Sequence, residues 1–410
     1  MTPNIFIDVT SFLHAPTMTG IERQIHAFAR NRDVLDPIPI AMSDSGHFVQ
    51  VDSMFWSFVE NVAAGSVPKQ LLASHAAHHS DRVEAEYLKA YGSDLRRGVR
   101  PLAAHDLAAG RVIEVSYFFD SPRIDVLENV QALNPSSVLP LVVDFIIWTH
   151  PQVLYRAYEG PLESSGTDRY LQFLGRCPQL VFTSDAMLET FRDSIARQWD
   201  GAVSKALPGA DAVVADDQTP DWGRQVRHIS GAQSDGSVEV AVVGTIEARR
   251  PWRVISEAIE LLRRQGWDIY ATFAGRLNHT MGLADQTDFR VMVELSGNRW
   301  IDTPTDAQLE ALLGRAAVSV YLSEAEGYGV PPLEALVRGL PVVVSKSVPS
   351  TAAIDSPLLR RVDHSPSEVA SAMRQVIALD PTTLQGVELS LPTWREYVVA
   401  WKSALDWVGQ

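Results

Sequence analysis

The stretch from Ser323 to Val344 constrains the fold of this chain more than any other part of the sequence. The apolar run Val318 to Leu322 leads into it and predicts a buried strand. Pro331 and Pro332 fit the first turn of a helix, because the N–H groups there have no partner within the helix. We therefore predict a helix over Leu333 to Arg338, and the apolar run that follows it predicts another strand. The stretch is thus a unit of strand, glycine loop, helix and strand.

The glycine loop of this unit predicts a phosphate site. The free N–H groups and the positive end of the helix dipole would both point at the loop that contains Gly327 and Gly329. Two carboxylates, Glu326 and Glu334, flank the loop with seven residues between them. Since a phosphate needs positive surroundings, we expect these acids to accept hydrogen bonds from hydroxyl groups, as sugars offer. An alternative for Glu334 is that it only complements the helix N-terminus.

Length and charge set the general class of the protein. A chain of 410 residues can form two domains with complete cores, and 21% charged and 46% hydrophobic residues are typical of a soluble globular protein. The net charge of −15 argues against non-specific binding of nucleic acid, which depends on neutralising phosphates. The single cysteine, Cys177, excludes an internal disulfide and a cysteine-based zinc cluster.

The sequence also bears on localisation. Residues Met1 to Asp8 contain no basic segment ahead of an apolar stretch, so we predict no signal peptide. No apolar run approaches the ~20 residues that are needed to span a bilayer. We therefore expect a cytoplasmic protein, and peripheral contact with the inner face of the cell membrane stays open.

The first half of the chain predicts a Rossmann-like domain without the usual dinucleotide fingerprint. Asn4 to Val9 predicts a short strand, and Ile21 to Arg30 predicts a helix with apolar residues on one side. Gly20 stands at the start of this helix, but no Gly-x-Gly-x-x-Gly follows the strand. Gly20 either lets the loop approach a ligand or is only a turn residue. Further strands are predicted over residues 38–42, 111–116, 139–145, 180–184 and 203–207.

A second α/β domain is predicted after residue 236. Residues 208–236 are rich in Asp, Gly, Pro, Gln and Ser and lack a sustained apolar period, which indicates a linker. The strand Val238 to Gly244, the loop Thr245 to Arg250 and a helix from Pro251 follow it. The terminal segment 391–408 carries aromatic residues at helical spacing, which we interpret as core.

Four segments of the chain match strings that recur in one enzyme family. Ser323 to Val344 reads Glu-Gly-aromatic-Gly-x-Pro-Pro-x-Glu-Ala and resembles the Glu-x7-Glu motif of glycosyltransferase family 4, the retaining GT-B enzymes. Thr19 to Arg23 is similar to the family's Thr-Gly-Ile-x-Arg segment. Val143 to Pro151 is similar to its His-Asp-Leu-Ile-Pro-x-x-His-Pro string, and Gly244 to Arg250 to its Gly-x-x-Glu-Pro-Arg-Lys loop. The likeness is strong over 238–344, moderate at the start and over 141–190, and absent from 45 to 110.

The resemblance implies the fold class and the domain organisation. It implies an α/β chain with the GT-B fold, in which two Rossmann-like domains face each other across a cleft and a C-terminal helix crosses back to the first domain. The acceptor-side domain would cover 1–207, the linker 208–236 and the nucleotide-sugar-binding domain 237–388. The returning helix would cover 389–410.

The resemblance also implies the residues of the site. Arg250 occupies the family's basic position on the donor diphosphate. A surface charge is the alternative interpretation, which suits Arg249 better than Arg250. Glu326 and Glu334 occupy the positions beside the donor sugar and the nucleotide ribose. Glu326, Arg250 and Asp144 are assigned to catalysis, and His14 and His150 to the acceptor side. The donor-binding set is completed by Gly20, Thr245, Arg276, Gly327, Tyr328, Gly329 and Val330.

The activity that the resemblance implies is transfer of a hexose from a nucleotide diphosphate sugar to a hydroxyl of a glycan or a lipid-linked saccharide. The transfer would retain the anomeric configuration and serve the synthesis of bacterial surface polysaccharide. Mannosyl and rhamnosyl relatives share the Glu-Gly-aromatic-Gly-x-Pro-Pro string, which favours GDP-mannose as the donor. The chain has no Asp-x-Asp string, so we expect neither a metal nor another cofactor. The charge of the leaving group would fall on Arg250, the helix dipole and the loop amides.

Two other classes of function stay open. Val143 replaces the family histidine that lies beside the donor sugar, which keeps a non-catalytic sugar-nucleotide-binding subunit as an alternative. The other alternative is a nucleotide-sugar epimerase of GT-B fold, which would convert the donor with no acceptor present. His75, His78 and His79 fall at a helical spacing that could ligate zinc, but a solvated helix face is the preferred interpretation.

Overall fold

The computed structural model describes residues 3–14, 20–43, 45–52, 54–63, 100–117, 121–151, 164–211, 236–278, 281–379 and 389–406. The chain divides into two compact units. The first unit comprises residues 1–145, 162–209 and 392–410, and the second comprises 146–161 and 210–391. The three histidines at 75, 78 and 79 and most of the predicted linker lie outside the described residues.

A mostly parallel sheet forms the centre of the first unit. Its described strands are β1 (Ile5–Asp8), β2 (Ile38–Met42), β3 (Phe48–Gln50), β4 (Arg100–Pro101), β5 (Arg111–Glu114), β6 (Val138–Val142), β7 (Gln179–Phe182) and β8 (Ala202–Lys205). Their order in the sheet is β4-β3-β2-β1-β5-β6-β7-β8. Only the pairings of β3 with β2 and with β4 are antiparallel among these strands. The strand order therefore reverses between β1 and β5.

Helices alternate with these strands along the first half of the chain. They are α1 (Thr10–His14), α2 (Gly20–Arg30), α3 (Met54–Ala63), α4 (Ala104–Ala108), α5 (Ser121–Leu133), α6 (Ile146–Thr149), α7 (Ser164–Arg176) and α8 (Asp185–Thr190). The helix α6 is grouped with the second unit. The amphipathic helix α2 buries Ile25 and Phe28 in the core of the first unit, since these residues recur on one face.

The described strands of the second unit form an all-parallel sheet. They are β9 (Val238–Val243), β10 (Ile269–Ala274), β11 (Arg299–Ile301), β12 (Val318–Tyr321), β13 (Val342–Ser345) and β14 (Leu359–Val362). They lie in the order β11-β10-β9-β12-β13-β14, so the order reverses between β9 and β12. Buried valine, isoleucine and alanine side chains fill these strands, as is usual for a parallel sheet covered on both faces. The covering helices are α9 (Trp252–Arg264), α10 (Leu283–Ser296), α11 (Asp306–Arg315), α12 (Pro331–Leu336) and α13 (Pro366–Ile377).

The last described helix, α14 (Trp394–Leu405), belongs to the first unit. It begins with a reciprocal cap, in which the Thr393 hydroxyl accepts from the Glu396 amide and the Glu396 carboxylate accepts from the Thr393 amide. Tyr397 and Trp401 are buried against Phe28 of α2, with ring centroids 6.0 and 6.2 Å from it. The interpretation of the aromatic segment as core is correct.

The predicted fold class is confirmed, because the chain consists of two Rossmann-like α/β domains. The boundaries of single elements shift by a few residues, and the predicted helix at Leu333 begins at Pro331. In the part of the chain that the structure describes, no helix is both long and apolar enough to cross a membrane.

Candidate active site

Polar side chains of the second unit gather where the strand order of its sheet reverses. The loop after β9 supplies Glu247, Arg249 and Arg250, and the end of β12 supplies Tyr321 and, five residues on, Glu326. Since β9 and β12 are parallel neighbours, their carboxyl ends meet at one edge of the sheet. This crevice is where open α/β sheets bind ligands.

Arg250 lies at the centre of this group. Its Nη2 donates to the Tyr321 hydroxyl at 2.7 Å and to Glu326 Oε1 at 3.2 Å, while its Nε donates to Glu247 Oε1 at 3.3 Å. Its guanidinium lies 4.4 Å from the centroid of the Tyr321 ring. Its Nη1 donates to none of the described residues. Arg250 is therefore held in place by acids and an aromatic ring, with one nitrogen left for a further acceptor.

Gly244 makes room for this arginine. It has φ +132°, which L-residues rarely adopt, and a Cβ added to it would lie 2.6 Å from Arg250 Nη1. Gly275 lets the neighbouring loop approach just as closely, since its added Cβ would lie 2.0 Å from the Gly244 carbonyl oxygen. A cavity of about 20 Å³ lies here, lined by residues that include Gly244, Arg250, Trp252 and Tyr321.

Glu326 is an ionised carboxylate in an enclosed position. Only 9% of its side chain is exposed, and burial alone would raise its pKa. Arg249 and Arg250 outweigh that effect, and the Tyr321 and Ser323 hydroxyls add to theirs, so the pKa of Glu326 is held below its ordinary value. Tyr321 donates to Glu326 Oε1 at 2.7 Å. The side chain is therefore a fixed negative charge that can accept hydrogen bonds.

The interpretation of Arg249 as a surface charge is wrong. Its side chain is only 16% exposed and pairs with Glu247 at 2.7 Å and with Glu326 at 2.5 Å. The same side chain donates to the Ser323 hydroxyl at 3.2 Å and to the Ala325 carbonyl at 2.6 Å. No local pattern indicates the contacts with Ser323, Ala325 and Glu326, because these partners lie 74 to 77 positions away.

The glycine loop after β12 is packed closely against the turn that follows β13. Gly329 has φ +89°, and an added Cβ would lie 2.5 Å from Val348 Cγ1 and 3.8 Å from Glu326 Cγ. The Ser350 amide donates to the Tyr328 carbonyl at 2.9 Å, and its hydroxyl donates to the Gly329 carbonyl at 2.5 Å. Gly329 is thus required both for its backbone angle and for this contact.

The helix α12 offers fewer free amides than its sequence predicts. Pro331 and Pro332 carry no N–H, and the amides of Leu333 and Glu334 both donate to the Val330 carbonyl, at 2.9 and 3.2 Å. The helix has six residues, so its dipole is short. An anion at this loop would depend mainly on the loop amides and on the arginines. Glu334 is partly buried in the first turn of α12.

The loop after β10 lies next to this group. Arg276 follows β10, and its Nε is buried with no hydrogen-bond partner among the described residues. An unpaired buried donor is costly, which marks Arg276 as a candidate ligand contact. Thr245 is partly buried, and its amide nitrogen would be 3.1 Å from a Cβ on Gly275. Trp300 donates to the Gly275 carbonyl at 2.9 Å and packs against the core.

The predicted residues from the first half of the chain are placed as follows. Gly20 is exposed at the start of α2, and an added Cβ would contact nothing within 4 Å, so sterics do not require a glycine there. Asp144 is partly buried and accepts from the Tyr117 hydroxyl through its carbonyl at 3.0 Å. His150 lies beside the Thr149 hydroxyl, with its Nδ1 at 2.9 Å. His14 ends α1, and its side chain lies outside the described residues.

Sequence reasoning missed a buried carboxyl pair in the first unit. Asp8 ends β1 and Glu114 ends β5, where the strand order of that sheet reverses, and both are almost completely buried. Arg123 of α5 pairs with Asp8 at 3.2 Å. Asp8 also accepts from the amide and the hydroxyl of Thr10, and Glu114 accepts from the amide and the hydroxyl of Ser116 at 3.2 and 3.0 Å. The pair thus holds the loops that follow β1 and β5.

The surroundings of Glu114 favour its protonated form. Burial and the neighbouring Asp8 carboxylate raise the pKa of Glu114 well above its ordinary value, against the opposing effect of Arg123. Its Oε2 accepts no hydrogen bond from the described residues. A hydrogen bond between the Glu114 and Asp8 side chains adds to the rise in the pKa of Glu114.

No group of three or more His, Cys, Asp or Glu side chains that could hold a metal ion occurs among the residues that the structure describes. The basic character of the site in the second unit comes from guanidinium groups. The expectation of metal-independent chemistry stays a prediction.

This fold corresponds to that of GT-B glycosyltransferases. The structure is similar to that of Anabaena HepE, solved in complex with UDP and glucose, with a TM-score of 0.55 and 12% identity over 98% of this chain and 94% of that one. It is also similar to WaaG, a glycosyltransferase involved in lipopolysaccharide biosynthesis, with a TM-score of 0.52 and 13% identity over 98% and 96% of the two chains. These identities establish the fold alone.

A sequence match covers the part of the chain that holds the site. Residues 227–357 match the family Glycosyl transferases group 1. A curated relative, the putative glycosyltransferase ORF378 of Acidianus filamentous virus 2 (isolate Italy/Pozzuoli), is 31% identical over 104 residues, which are 25% of this chain. The match also covers 25% of the length of that relative. Arg249, Arg250, Tyr321 and Glu326 all lie within residues 227–357.

Proposed function

We propose that this protein transfers a hexose from a nucleotide diphosphate sugar to a hydroxyl group of a glycan or a lipid-linked saccharide. The observation that carries the proposal is the joint burial of Arg250 and Glu326 where the strand order reverses, inside the segment that matches Glycosyl transferases group 1. A guanidinium and a carboxylate 3.2 Å apart provide a donor for phosphate oxygens beside an acceptor for sugar hydroxyls.

Each group has a role that follows from its contacts. Arg250 Nη1 and the Arg276 Nε donate to no described residue, so these nitrogens can bind the diphosphate oxygens. Glu326, ionised over the working pH range, accepts from hydroxyls of the donor sugar. Glu334 in the first turn of α12 is assigned to the ribose. The guanidinium charge is fixed before the reaction, so it can stabilise the charge that develops on the leaving group without reorganisation.

The reaction is proposed to retain the anomeric configuration. The acceptor oxygen bonds to the anomeric carbon from the face that the phosphate leaves, and the bond from that carbon to the phosphate oxygen breaks. The departing phosphate oxygen takes the proton of the acceptor hydroxyl. Membership in glycosyltransferase family 4, a role in surface polysaccharide synthesis and a site at the inner face of the cell membrane belong to the same proposal. GDP-mannose is the favoured donor, and UDP-glucose joins it because a HepE complex contains UDP-glucose.

Thermal-shift measurements against a panel of nucleotide sugars test the proposal first. A donor that binds only the folded state raises the melting temperature, by more the tighter it binds. The panel contains GDP-mannose, UDP-glucose and the free nucleoside diphosphates. A protein that none of these compounds stabilises would contradict the assignment.

Two substitutions then test the site itself. Arg250→Ala and Glu326→Ala should each lower turnover of the correct donor by roughly two orders of magnitude, about 3 kcal/mol of transition-state stabilisation. Arg253→Ala is the matched control, because Arg253 is 47% exposed and pairs with Asp285 and Asp288. Near-normal rates in both site variants would refute the placement of the site.

Val143 favours one alternative, a subunit that binds the donor without catalysis. Val143 packs against the core of the first unit, and its carbonyl accepts from the Thr183 hydroxyl at 3.1 Å, so it offers a donor sugar no polar side chain. Slow release of nucleotide from the bound donor without an acceptor supports the enzyme. Binding with no release supports the non-catalytic subunit, and conversion of the donor sugar into its epimer supports an epimerase.

A further inference from the structure

Arg249, Tyr321 and Arg250 all contact the same oxygen of the Glu326 carboxylate. Oε1 lies 2.5 Å from Arg249 Nη1, 2.7 Å from the Tyr321 hydroxyl and 3.2 Å from Arg250 Nη2. No hydrogen bond to Oε2 is found among the described residues. A carboxylate held in this way cannot rotate freely, and its second oxygen is left for a ligand.

Tyr321 fixes the direction of these hydrogen bonds. Its ring is buried at the end of β12, and burial raises the pKa of its hydroxyl, which therefore stays protonated. Arg250 has only donors, so the hydroxyl accepts from Arg250 and must give its single proton to Glu326 Oε1. The tyrosine thus connects the guanidinium to the carboxylate in one orientation.

Arg249 holds the backbone that carries Glu326. Its Nη1 donates to the Ser323 hydroxyl and to the Ala325 carbonyl, and its own carbonyl accepts from the Glu324 amide at 2.8 Å. Hydrogen bonds from the side chain of Arg249 and to its backbone carbonyl therefore hold residues 323–326 against the loop after β9. Without Arg249, only Tyr321 and Arg250 would hold the carboxylate.

We propose that Tyr321 and Arg249 are positioning residues, which hold Glu326 Oε1 so that Oε2 faces a hydroxyl of the donor sugar. This inference rests on the proposed function and extends it to residues that do not touch the donor. Groups that position a ligand must keep their geometry before the ligand arrives, and side chains locked by a surrounding shell of hydrogen bonds meet that condition.

A double-mutant cycle tests the inference through Tyr321 and Glu326. Tyr321→Phe keeps the ring over Arg250 and removes only the hydroxyl, so it should lower kcat about tenfold. Glu326→Gln should lower it about a hundredfold. Adding Tyr321→Phe to Glu326→Gln should change kcat less than twofold further, because the hydroxyl acts through the carboxylate. Effects that multiply, or a Tyr321→Phe variant with wild-type kcat, would overturn the inference.

The control is a second tyrosine with the same type of arginine contact in the same unit. Arg299 lies 4.3 Å from the centroid of the Tyr270 ring and donates to its hydroxyl at 3.1 Å. Tyr270→Phe should leave kcat and KM at their wild-type values. A loss as large as that of Tyr321→Phe would show a general effect of hydroxyl removal and overturn the inference.

Arg249→Lys provides a second arm in case Tyr321→Phe does not fold. A lysine keeps the charge but cannot reach Ser323, Ala325 and Glu326 together, so kcat should fall about tenfold while the affinity for the free nucleoside diphosphate stays within twofold. Equal losses for the free nucleoside diphosphate and for the nucleotide sugar would contradict a role through Glu326. These outcomes are comparisons among variants. If the proposed function itself is wrong, the wild-type protein will neither bind nor turn over a nucleotide sugar.

Discussion

Each unit places two carboxylates where the strand order of its sheet reverses, and the two pairs differ in the number of guanidinium groups that face them. In the second unit, Glu247 and Glu326 face Arg249 and Arg250. In the first unit, Asp8 and Glu114 face Arg123.

This difference sets the direction in which the pKa of Glu326 and the pKa of Glu114 are shifted. With two guanidinium groups, Glu326 stays ionised even when buried, and Arg250 keeps a nitrogen for a ligand. With one guanidinium, Glu114 keeps its proton, and the hydrogen bonds of the pair go to its own loops. The same topological position thus supports a binding site in one unit and a structural anchor in the other.

The largest expected effect is on the stability that depends on the Asp8 and Glu114 pair of the first unit. Arg123→Ala leaves the Asp8 carboxylate buried without its cation, so the free energy of unfolding should fall by about 3–5 kcal/mol. Denaturant titration measures this. Arg169→Ala is the control, since Arg169 is 34% exposed and pairs with Asp125 and Glu128 near the surface. We expect it to cost at most about 1 kcal/mol. Equal losses would show that Arg123 is no more than a surface ion pair.

The next largest effect is the dependence of the free energy of unfolding on the protonation of Glu114. The pKa of Glu114 is raised in the folded state, so ionisation costs the fold stability as the pH rises above the ordinary glutamate value of about 4.3. Glu114→Gln removes this cost and keeps an N–H group to donate to Asp8. The variant should be more stable than the wild type at pH 8, with the difference vanishing below about pH 4. A variant that is less stable than the wild type at pH 8 would contradict the raised pKa of Glu114.

The smallest effect is the opposite pH dependence of Glu326. Its folded pKa is lowered, so its ion pairs add stability above the ordinary value of about 4.3 and are lost as the pH falls through the folded value. Glu326→Gln should therefore be less stable than the wild type at pH 7 and equal to it in acid. Unfolding curves at several pH values measure the difference. A difference that does not depend on pH would mean that the carboxylate contributes only by its packing.

The sequence predicted those features that depend on neighbouring residues. Runs such as Val238–Val243 are buried strands, and the residues after β12 form a glycine loop whose Gly329 needs its positive φ. The aromatic spacing of α14 predicted a core helix, because one apolar face on a helix must be covered. These signals lie within a few residues of each other and need no knowledge of distant contacts.

The missed features depend on contacts between distant parts of the chain. Asp8 and Glu114 form a pair only because β1 lies beside β5, which no local pattern shows. Arg249 looks like a surface charge until the loop that starts at Ser323 folds onto it. The helix α10 was missed because its apolar residues do not follow one face, and Leu283 and Leu295 are 81% exposed.

The helix α14 has a consequence for the order in which the two units mature during synthesis. The first unit contains the N-terminal strands, but Tyr397 and Trp401 complete its core. Its apolar surface around Phe28 therefore stays uncovered until residue 405 has left the ribosome, when the strands of the second unit have already emerged. The unit whose strands are translated first is thus the last to complete its hydrophobic core.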